Sequence, residues 1–501
     1  MSERKTTDDL LEGLDASQHT AAVTVDGPVR IIAGAGAGKT RTITHRIAYA
    51  CACQAWDPSR TLAVTFSVKA AGELRSRLTK LGVSEEVTAA TFHSAALHQL
   101  RRVWADITDA YFPQVAEDLR PFMARAFQRV TGLDDPDPIQ LRDLLDEVNW
   151  TKVSLIAPEE YSRVCAATHR NPPAALETSK MADVIEAFET EKTAHGAIDF
   201  NDILLMTCHV LEEFEEAAQK IRQQVGWLTV DEYQDVSPLQ HRLMELWLNK
   251  QSSVCVVGDP AQTIYSFAGA SSYYLLDFDH EFAPVSADIQ LNTDYRSTPQ
   301  VVSYANRILS ASPERADYLK LSSPKEDGPR VNCMRYPSDM DEAQGVVRRI
   351  ERLLSRGAQP GQCAILTRIN AQQKIMCTAL KQAGIHYRVR TDNGWQRSIS
   401  AAELSQLDST ELIATLRGEG EGLVTVSTIH AAKGLEFNHV FLVGCSEGLL
   451  PFGSPQSGAA LEEERRLMYV AVTRASESLH ISFADRKDGT GGGQRSPSRF
   501  V

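Results

Sequence analysis

Short apolar segments alternate with longer amphipathic stretches along most of this 501-residue chain. Seven of these segments have the length and the β-branched, apolar character of buried strands. They are Val29 to Ala33, Thr61 to Phe66, Gly226 to Val230, Ser253 to Gly258, Cys363 to Thr367, Leu423 to Ser427 and His439 to Gly444. An alternation of strands and helices is typical of α/β proteins, so the pattern predicts parallel sheets.

Two stretches are predicted to be helical. Residues 341–355 carry apolar side chains at helical spacing, and Ser338 with Asp341 resembles a capping box before them. Between about residues 100 and 195 the strand signal fades, which predicts an inserted helical subdomain. Its aromatic residues are expected to lie in a core: Trp104, Tyr111, Phe112, Phe122, Phe127 and Trp150.

The composition, 43% apolar and 23% charged, is that of a soluble globular protein with two or more domains. We find no apolar signal segment and no stretch long enough to cross a bilayer, which predicts a cytoplasmic protein without membrane partners. Nine cysteines without a C-x-x-C pair predict reduced, mostly buried thiols. The net charge of −13 argues against indiscriminate coating of nucleic acid, although a local basic groove remains open.

The strongest chemical signal is a loop of small residues between a predicted strand and a predicted helix. Residues 33–40 read Ala-Gly-Ala-Gly-Ala-Gly-Lys-Thr, which departs from G-x-x-x-x-G-K-[ST] only at Ala33. Small residues let backbone N–H groups reach phosphate oxygens, and the dipole of the following helix favours the same charge. Lys39 is expected to bind the β and γ phosphates and Thr40 to bind Mg²⁺. The alternative interpretation is a loop that binds no ligand.

Two carboxylates, Asp231 and Glu232, follow the strand predicted to end at Val230. Ligands bind at the carboxyl ends of strands in open α/β sheets. Asp231 is therefore expected to hold magnesium, and Glu232 to accept a proton from an attacking water. With the phosphate loop this pair predicts NTP hydrolysis. A P-loop kinase or another small-molecule enzyme is the alternative.

Eight segments, one of which contains the Asp231 and Glu232 pair, occur in a fixed order along the chain. They are Leu14 to Gln18, Val64 to Leu74, Thr91 to His93, Asp231 to Asp235, Val257 to Ala270, Asn292 to Thr298, Thr425 to Phe437 and Glu462 to Ala475. In this order they resemble motifs Q, Ia, Ib, II, III, IV, V and VI of the UvrD/Rep/PcrA-like superfamily 1A DNA helicases. The resemblance extends over almost the whole chain.

The resemblance implies an α/β fold with two RecA-like parallel-sheet domains of the P-loop NTPase class and an inserted helical subdomain. Domain 1A would comprise residues 1–100 and 196–285, and the helical insertion 1B would comprise residues 101–195. Domain 2A would comprise residues 286–390 and 422–501. Residues 391–421 would be a short remnant in place of subdomain 2B, which contacts duplex DNA in the family. Its loss is expected to affect unwinding more than ATP hydrolysis.

The resemblance also implies a set of nucleotide contacts. Gln18 would read the adenine edge, Tyr295 would stack on the base, and Arg41 would flank it. Glu436 would hold the ribose. With the phosphate loop, the implied ATP-binding residues are Gln18, Ala33, Gly34, Ala35, Gly36, Ala37, Gly38, Lys39, Thr40, Arg41, Tyr295 and Glu436.

Three further residues would act on the γ-phosphate. Gln262 would sense it, while Arg296 and the arginine finger Arg474 would neutralise the charge of the transition state. Because Arg474 is far from Lys39 in the chain, hydrolysis is expected in a cleft between domains 1A and 2A. The implied catalytic set is Lys39, Asp231, Glu232, Gln262, Arg296 and Arg474, with ATP and Mg²⁺ as ligands.

A single-stranded DNA groove is implied by six more positions. They are Phe66, His93, Tyr265, Phe267, Asn370 and His430. Aromatic faces suit this task because stacking tolerates any base. In this family movement is 3′ to 5′. The chain carries Phe267 and Ala268 where relatives carry Trp-Arg, which predicts weaker coupling or grip.

The compact length also resembles GajB, the helicase-like subunit of Gabija anti-phage systems, which pairs with an OLD-family nuclease. Two DNA-directed functions therefore remain open. The chain is either a translocase that moves along single-stranded or tailed DNA and unwinds duplex, or a DNA-sensing ATPase subunit that acts with a partner nuclease in antiviral defence.

Overall fold

The computed structural model describes residues 6–83, 86–133, 135–251, 253–391, 394–397, 422–487 and 493–501. The chain divides into two compact units. Unit 1 comprises the described residues of Met1–Ile32, Lys39–Gly258 and Tyr265–Gln290. Unit 2 comprises the described residues of Ala33–Gly38, Asp259–Ile264 and Leu291–Val501. Most of the predicted remnant 391–421 lies outside the described residues, and the other predicted domain boundaries stay predictions.

The sheet of unit 1 is built on the predicted apolar strands. The first eight strands of the chain are β1 Val29–Ala33, β2 Thr61–Thr65, β3 Thr88–Thr91, β4 Gln114–Val115, β5 Ala197–Ile198, β6 Trp227–Val230, β7 Val254–Gly258 and β8 Ala287–Leu291. Six of them form one sheet in the order β3-β2-β6-β7-β1-β8. The pairs from β3 through to β1 are parallel. Every residue of β1, β2 and β7 is buried, as expected of strands covered on both faces.

The helices of unit 1 cover the sheet and build the insertion. They are α1 Ala16–Val23, α2 Lys39–Ala52, α3 Val68–Lys80, α4 Phe92–Ile107, α5 Arg120–Thr131, α6 Pro138–Val153, α7 Pro158–Thr168, α8 Thr178–Ala194, α9 Phe200–Glu213, α10 Glu215–Arg222, α11 Pro238–Leu248, α12 Tyr273–Leu276 and α13 Phe278–Glu281. Helices α5 to α8 share a core of their own that includes Phe127, with Phe122 and Trp150 packed against it. The predicted helical insertion is therefore confirmed. The expectation of a core position is wrong for Tyr111, which is 99% exposed because it lies in the loop after α4.

A buried ion network fixes the start of α9. Asp199 caps this helix, and its Oδ2 lies 2.5 Å from Nζ of both Lys152 and Lys192. The same two ammonium groups contact Asp202. Burial alone would raise the pKa of Asp199, but the two lysines outweigh it and lower the pKa to about 2. The network holds Phe200, the first residue of α9, in a fixed place.

Unit 2 contains a second sheet, in which three of the seven described strands were predicted from the sequence. Its strands are β9 Asn332–Tyr336, β10 Cys363–Thr367, β11 Tyr387–Thr391, β12 Gly394–Arg397, β13 Val424–Thr428, β14 Phe437–Leu442 and β15 Ala475–Ala484. They are ordered β12-β11-β13-β10-β14-β15-β9. All pairs are parallel except the hairpin of β11 with β12. The α/β class with parallel sheets is therefore confirmed in both units.

Among the described residues of unit 2, four helices flank this second sheet. They are α14 Pro299–Ser310, α15 Asp339–Leu354, α16 Asn370–Gln382 and α17 Ala459–Val472. Helix α15 is the helix predicted from residues 341–355, and its apolar face, which includes Val346 and Ile350, shares a buried core with residues of β10, β13 and β14. Ser338 caps it through its side-chain oxygen. All nine cysteines are free, and five are buried. Among the described residues, no helix has both the length and the apolar character that crossing a membrane requires.

The glycines of two helices predict opposite effects of the same substitution. In α15, a Cβ at Gly345 would overlap the ring of Tyr336, so Gly345→Ala is expected to destabilise unit 2 by about 1–3 kcal/mol. In α3, a Cβ at Gly72 would meet no atom, so Gly72→Ala is expected to stabilise the protein by about 0.5–1 kcal/mol through helix propensity. Urea unfolding of both variants tests this, and a Gly345→Ala variant as stable as Gly72→Ala would contradict it.

Candidate functional site

The phosphate loop joins β1 to α2 and requires glycine at defined positions. Gly36 and Gly38 have φ of 70° and 80°, which side-chain-bearing residues rarely adopt. Within unit 2, a Cβ at Gly36 would overlap Asp294 Oδ1, and one at Gly34 would overlap Leu321. The alternation of glycine and alanine therefore reflects both backbone conformation and close packing. The loop continues directly into Lys39, the first residue of α2.

The predicted carboxylate pair lies in unit 1, where β6 ends. Asp231 is 5% exposed, and its Oδ1 accepts the backbone N–H of Glu232. Burial and then repulsion from Glu232 raise the pKa of Asp231 to about 7, against the opposing charge of Lys39. Glu232 has φ of 56° and ψ of 41°, a strained conformation for a residue with a side chain, and its Oε2 accepts an N–H of Gln234 at 2.6 Å.

These carboxylates fit a divalent cation. A buried carboxylate beside a second one ionises reluctantly, and a bound cation removes that penalty. Oxygen donors of this kind, with a threonine hydroxyl, are typical magnesium ligands. Asp231 and Thr40, the second residue of α2, stay the predicted metal ligands.

Unit 2 brings the phosphate loop together with the segment after β8. The backbone N–H of Tyr295 donates to the carbonyl of Gly36 at 3.1 Å. The ring of Tyr295 is 43% exposed, as its predicted stacking role requires. Arg296 Nε lies 2.6 Å from Glu436 Oε2, so the predicted γ-phosphate and ribose residues meet as an ion pair.

Gln262 lies at the centre of a buried network in unit 2. Its Nε2 donates to Asp259 Oδ2 at 2.7 Å, and its carbonyl accepts Nζ of Lys433 at 2.7 Å. Its Oε1 lies 3.5 Å from Nη2 of Arg474, the predicted arginine finger. The guanidinium of Arg474 also donates to the carbonyls of Val470 and Leu435. The structure thus brings Gln262 and Arg474 together.

Tyr469 extends this network and was missed by the sequence analysis. Its ring is buried, its hydroxyl lies 3.3 Å from Asp259 Oδ2, and the hydroxyl also accepts the backbone N–H of Ala35 at 3.3 Å. A phosphate-loop amide is therefore linked to Asp259 and, through it, to Gln262. Tyr469 was overlooked because an aromatic residue within an apolar helix stretch predicts only core packing.

The two other predicted adenine-side residues lie in unit 1. Gln18 is buried in a capping box, where its Oε1 accepts the N–H of Asp15 at 3.2 Å. Arg41 is exposed and donates from Nη2 to the carbonyl of Gly13 at 3.0 Å. Helix α1 and the segment before it are thus fixed beside α2, which starts with Lys39.

Three aromatic side chains of unit 1, two exposed and one half-buried, form a continuous series. The rings of Phe66 and Tyr265 stack with centroids 5.7 Å apart, and Tyr265 meets Phe267 edge to face at 6.1 Å. Phe66 is 47% exposed and Phe267 is 66% exposed. A cluster of solvent-exposed aromatic rings is typical of a binding surface. Three of the predicted DNA residues therefore lie together.

His93 lies beside an aromatic residue that the sequence analysis did not select. Its ring stacks on Phe200 with centroids 4.1 Å apart, and Phe200 is 59% exposed. Burial lowers the pKa of His93 to about 4, so the ring is neutral at pH 7. The local sequence carries no signal for Phe200, because the exposure of an aromatic ring depends on what packs over it.

The remaining predicted DNA residues, Asn370 and His430, lie in unit 2. Asn370 is exposed and begins α16 after β10, and His430 follows β13, the neighbour of β10. Burial, with the charges of Arg368 and Lys433, lowers the pKa of His430 to about 4. The ring is therefore neutral at pH 7 and suited to stacking or hydrogen bonding rather than charge pairing.

Comparison with known proteins agrees with these motifs. The model of the UvrD/REP helicase N-terminal domain matches residues 14–283. The model of the UvrD-like helicase C-terminal domain matches residues 289–397 and 399–486. The chain therefore belongs to the UvrD-type family of ATP-dependent DNA helicases, and the predicted family resemblance is confirmed.

Individual relatives carry names consistent with this family. The chain is 38% identical over 578 residues to ATP-dependent DNA helicase UvrD2 of Mycobacterium tuberculosis, with 99% of this chain and 82% of the relative covered. It is 26% identical over 645 residues to ATP-dependent DNA helicase PcrA of Bacillus subtilis, with 98% and 86% covered. Both alignments are longer than the chain, so the relatives contain inserted residues. The narrower resemblance to the Gabija subunit is not confirmed by these names.

We expect the Tyr469 hydroxyl to position the phosphate loop. In Tyr469→Phe the ring remains, but the Ala35 N–H loses this acceptor and Asp259 loses one donor. The expected result is a kcat/KM for ATP about 10- to 150-fold lower, the rate equivalent of the about 1.5–3 kcal/mol that a hydrogen bond to a charged group contributes. Steady-state ATPase assays measure it.

Tyr161→Phe is the matched control. Tyr161 is equally buried and donates to Glu147 at 2.8 Å, but it lies in the helical insertion. Loss of the Tyr161 hydroxyl is expected to lower the melting temperature of the protein without changing kcat/KM for ATP. Equal ATPase constants for the two variants would contradict a positioning role for Tyr469.

Proposed function

We propose that this protein is an ATP-driven translocase that moves 3′ to 5′ along single-stranded DNA. ATP hydrolysis would take place in a cleft between two RecA-like domains. The observation that carries the proposal concerns the phosphate loop. The loop is followed by Lys39, which lies near Asp231 in unit 1. In unit 2 the loop carbonyl of Gly36 accepts the backbone N–H of Tyr295, the residue before Arg296. The family membership and the names of the relatives support ATP and DNA as ligands.

The residues divide the hydrolysis reaction among them. Glu232 would take a proton from the attacking water, and Lys39 would hold the β and γ phosphates. Arg296 and Arg474 would neutralise the negative charge that develops on the γ-phosphate. Thr40 and Asp231 would hold magnesium, which supplies charge neutralisation for the phosphates when bound. For this, Arg296 must exchange its ion pair with Glu436 for the phosphate, which frees Glu436 for the ribose.

Contacts within unit 2 support coupling between nucleotide and DNA. Gln262 would sense the γ-phosphate, and its carbonyl already binds Lys433, three residues after His430. Movement of Gln262 would therefore be transmitted to the turn that carries His430. Successive bases of the DNA would stack on Phe66, Tyr265 and Phe267. The same DNA strand would also contact His93 and Phe200. No observation favours the defence complex with a partner nuclease over this function.

Three substitutions test the hydrolysis site. Lys39→Ala, Glu232→Gln and Arg474→Ala are each expected to lower DNA-stimulated ATP turnover by at least about 100-fold, because each removes a group that acts on the reacting phosphate. Lys180→Ala, an exposed lysine paired with Asp183, is the control and should match the unsubstituted protein. If Arg474→Ala is folded by circular dichroism and hydrolyses ATP normally, the proposed two-domain site is wrong.

Directional movement is tested by displacement of streptavidin from biotinylated single strands. A 3′-to-5′ translocase is expected to displace streptavidin from a 5′-biotin at least about tenfold faster than from a 3′-biotin, because it collides only with the block ahead of it. The reverse preference, or no ATP-dependent preference, would contradict the direction. Phe267→Ala should reduce the displacement rate and DNA stimulation of the ATPase more than basal hydrolysis.

A further inference from the structure

The loops that follow three neighbouring strands of unit 2 begin at one edge of the sheet. β13, β10 and β14 are adjacent and parallel, so their carboxyl ends share this edge. Arg368 and Asn370 follow β10, His430 follows β13, and the loop after β14 continues to Phe452. Ligands bind at such edges of open α/β sheets. Phe452 has no role among the predicted site residues.

Phe452 is exposed, yet it is held firmly. The residue is 49% exposed, and its backbone N–H donates to Glu464 Oε2 at 2.9 Å. The guanidinium of Arg368 lies 5.2 Å from the ring centroid, and the same guanidinium forms a bidentate pair with Glu464 at 2.6–3.1 Å. One carboxylate thus fixes both the backbone of Phe452 and the cation beside its ring.

The charge around Phe452 favours stacking over phosphate binding. Glu464 neutralises Arg368 at close range, which weakens the attraction of this guanidinium for a phosphate. His430, whose pKa is lowered partly by Arg368, is neutral at pH 7. The surface near Phe452 therefore presents a fixed aromatic ring, a neutral imidazole and the amide of Asn370, groups that bind bases rather than the backbone of a nucleic acid.

We propose that Phe452 is a base-stacking residue for single-stranded DNA on unit 2. The proposal rests on the proposed DNA translocase function, because Asn370 and His430 are DNA residues only within it. The exposed part of the ring would stack on one base, while the guanidinium of Arg368, which lies over the ring, supports the ring. Stacking on a phenyl ring tolerates every base, so Phe452 would contribute affinity without sequence preference.

The test measures binding of a fluorescein-labelled oligo-dT to the whole 501-residue chain by fluorescence anisotropy, without nucleotide. Phe452→Ala is expected to weaken binding about tenfold, the usual effect of losing one stacked base. Phe452→Trp should bind at least as tightly as the unsubstituted protein. Phe452→Leu keeps apolar packing against Arg368 but has no aromatic face, so it should resemble Phe452→Ala.

Controls separate this proposal from the translocase proposal. Tyr111→Ala removes another exposed ring, in unit 1, and should bind DNA normally. If Phe452→Leu or Phe452→Ala binds oligo-dT as tightly as the unsubstituted protein while Phe267→Ala does not, Phe452 is not a stacking residue and its ring suits a protein contact instead. If the unsubstituted protein itself fails to bind oligo-dT, the proposed function fails first. Failure of Phe452→Trp to restore binding lost in Phe452→Ala also overturns the inference.

Discussion

In a parallel sheet the carboxyl ends of neighbouring strands lie at the same edge. The loops that follow these strands therefore meet at that edge. This constraint underlies both units. In unit 1 Asp231 follows β6 and Lys39 begins the helix that comes after β1, with β7 between the two strands. In unit 2 Arg368, His430 and Phe452 follow β10, β13 and β14. Hydrogen bonding between strands thus places chemistry that is widely separated in the chain.

Two buried carboxylates of unit 1 show how neighbouring charges decide whether a buried carboxylate is structural or can bind a ligand. Asp199 is enclosed by Lys152 and Lys192, which lower its pKa, so its charge is satisfied within the fold. Asp231 has Glu232 beside it, and its pKa is raised. Asp231 therefore gains from an added cation, whereas Asp199 does not. The raised pKa agrees with a ligand site, and the satisfied ion network fixes the helix that starts with Phe200.

Local rules predicted much of the fold and some of the site. The seven strands, helix α15 and the phosphate loop follow from apolar periodicity, capping and the need for small residues, and all appear near the predicted bounds. Tyr111, Phe200 and Phe452 were misjudged or missed, because the exposure of an aromatic ring depends on what packs over it. Sequence neighbours do not supply that information.

The sequence by itself determined the parallel α/β architecture, the small-residue loop and the types of charged residue at strand ends, because these depend on interactions over a few residues. Only the tertiary structure decided which side chains meet. The hydroxyl of Tyr469 reaches the N–H of Ala35 across 434 positions of the chain, and Arg368 pairs with Glu464 across 96. Such contacts arise from packing and strand order, and no local pattern encodes their distances.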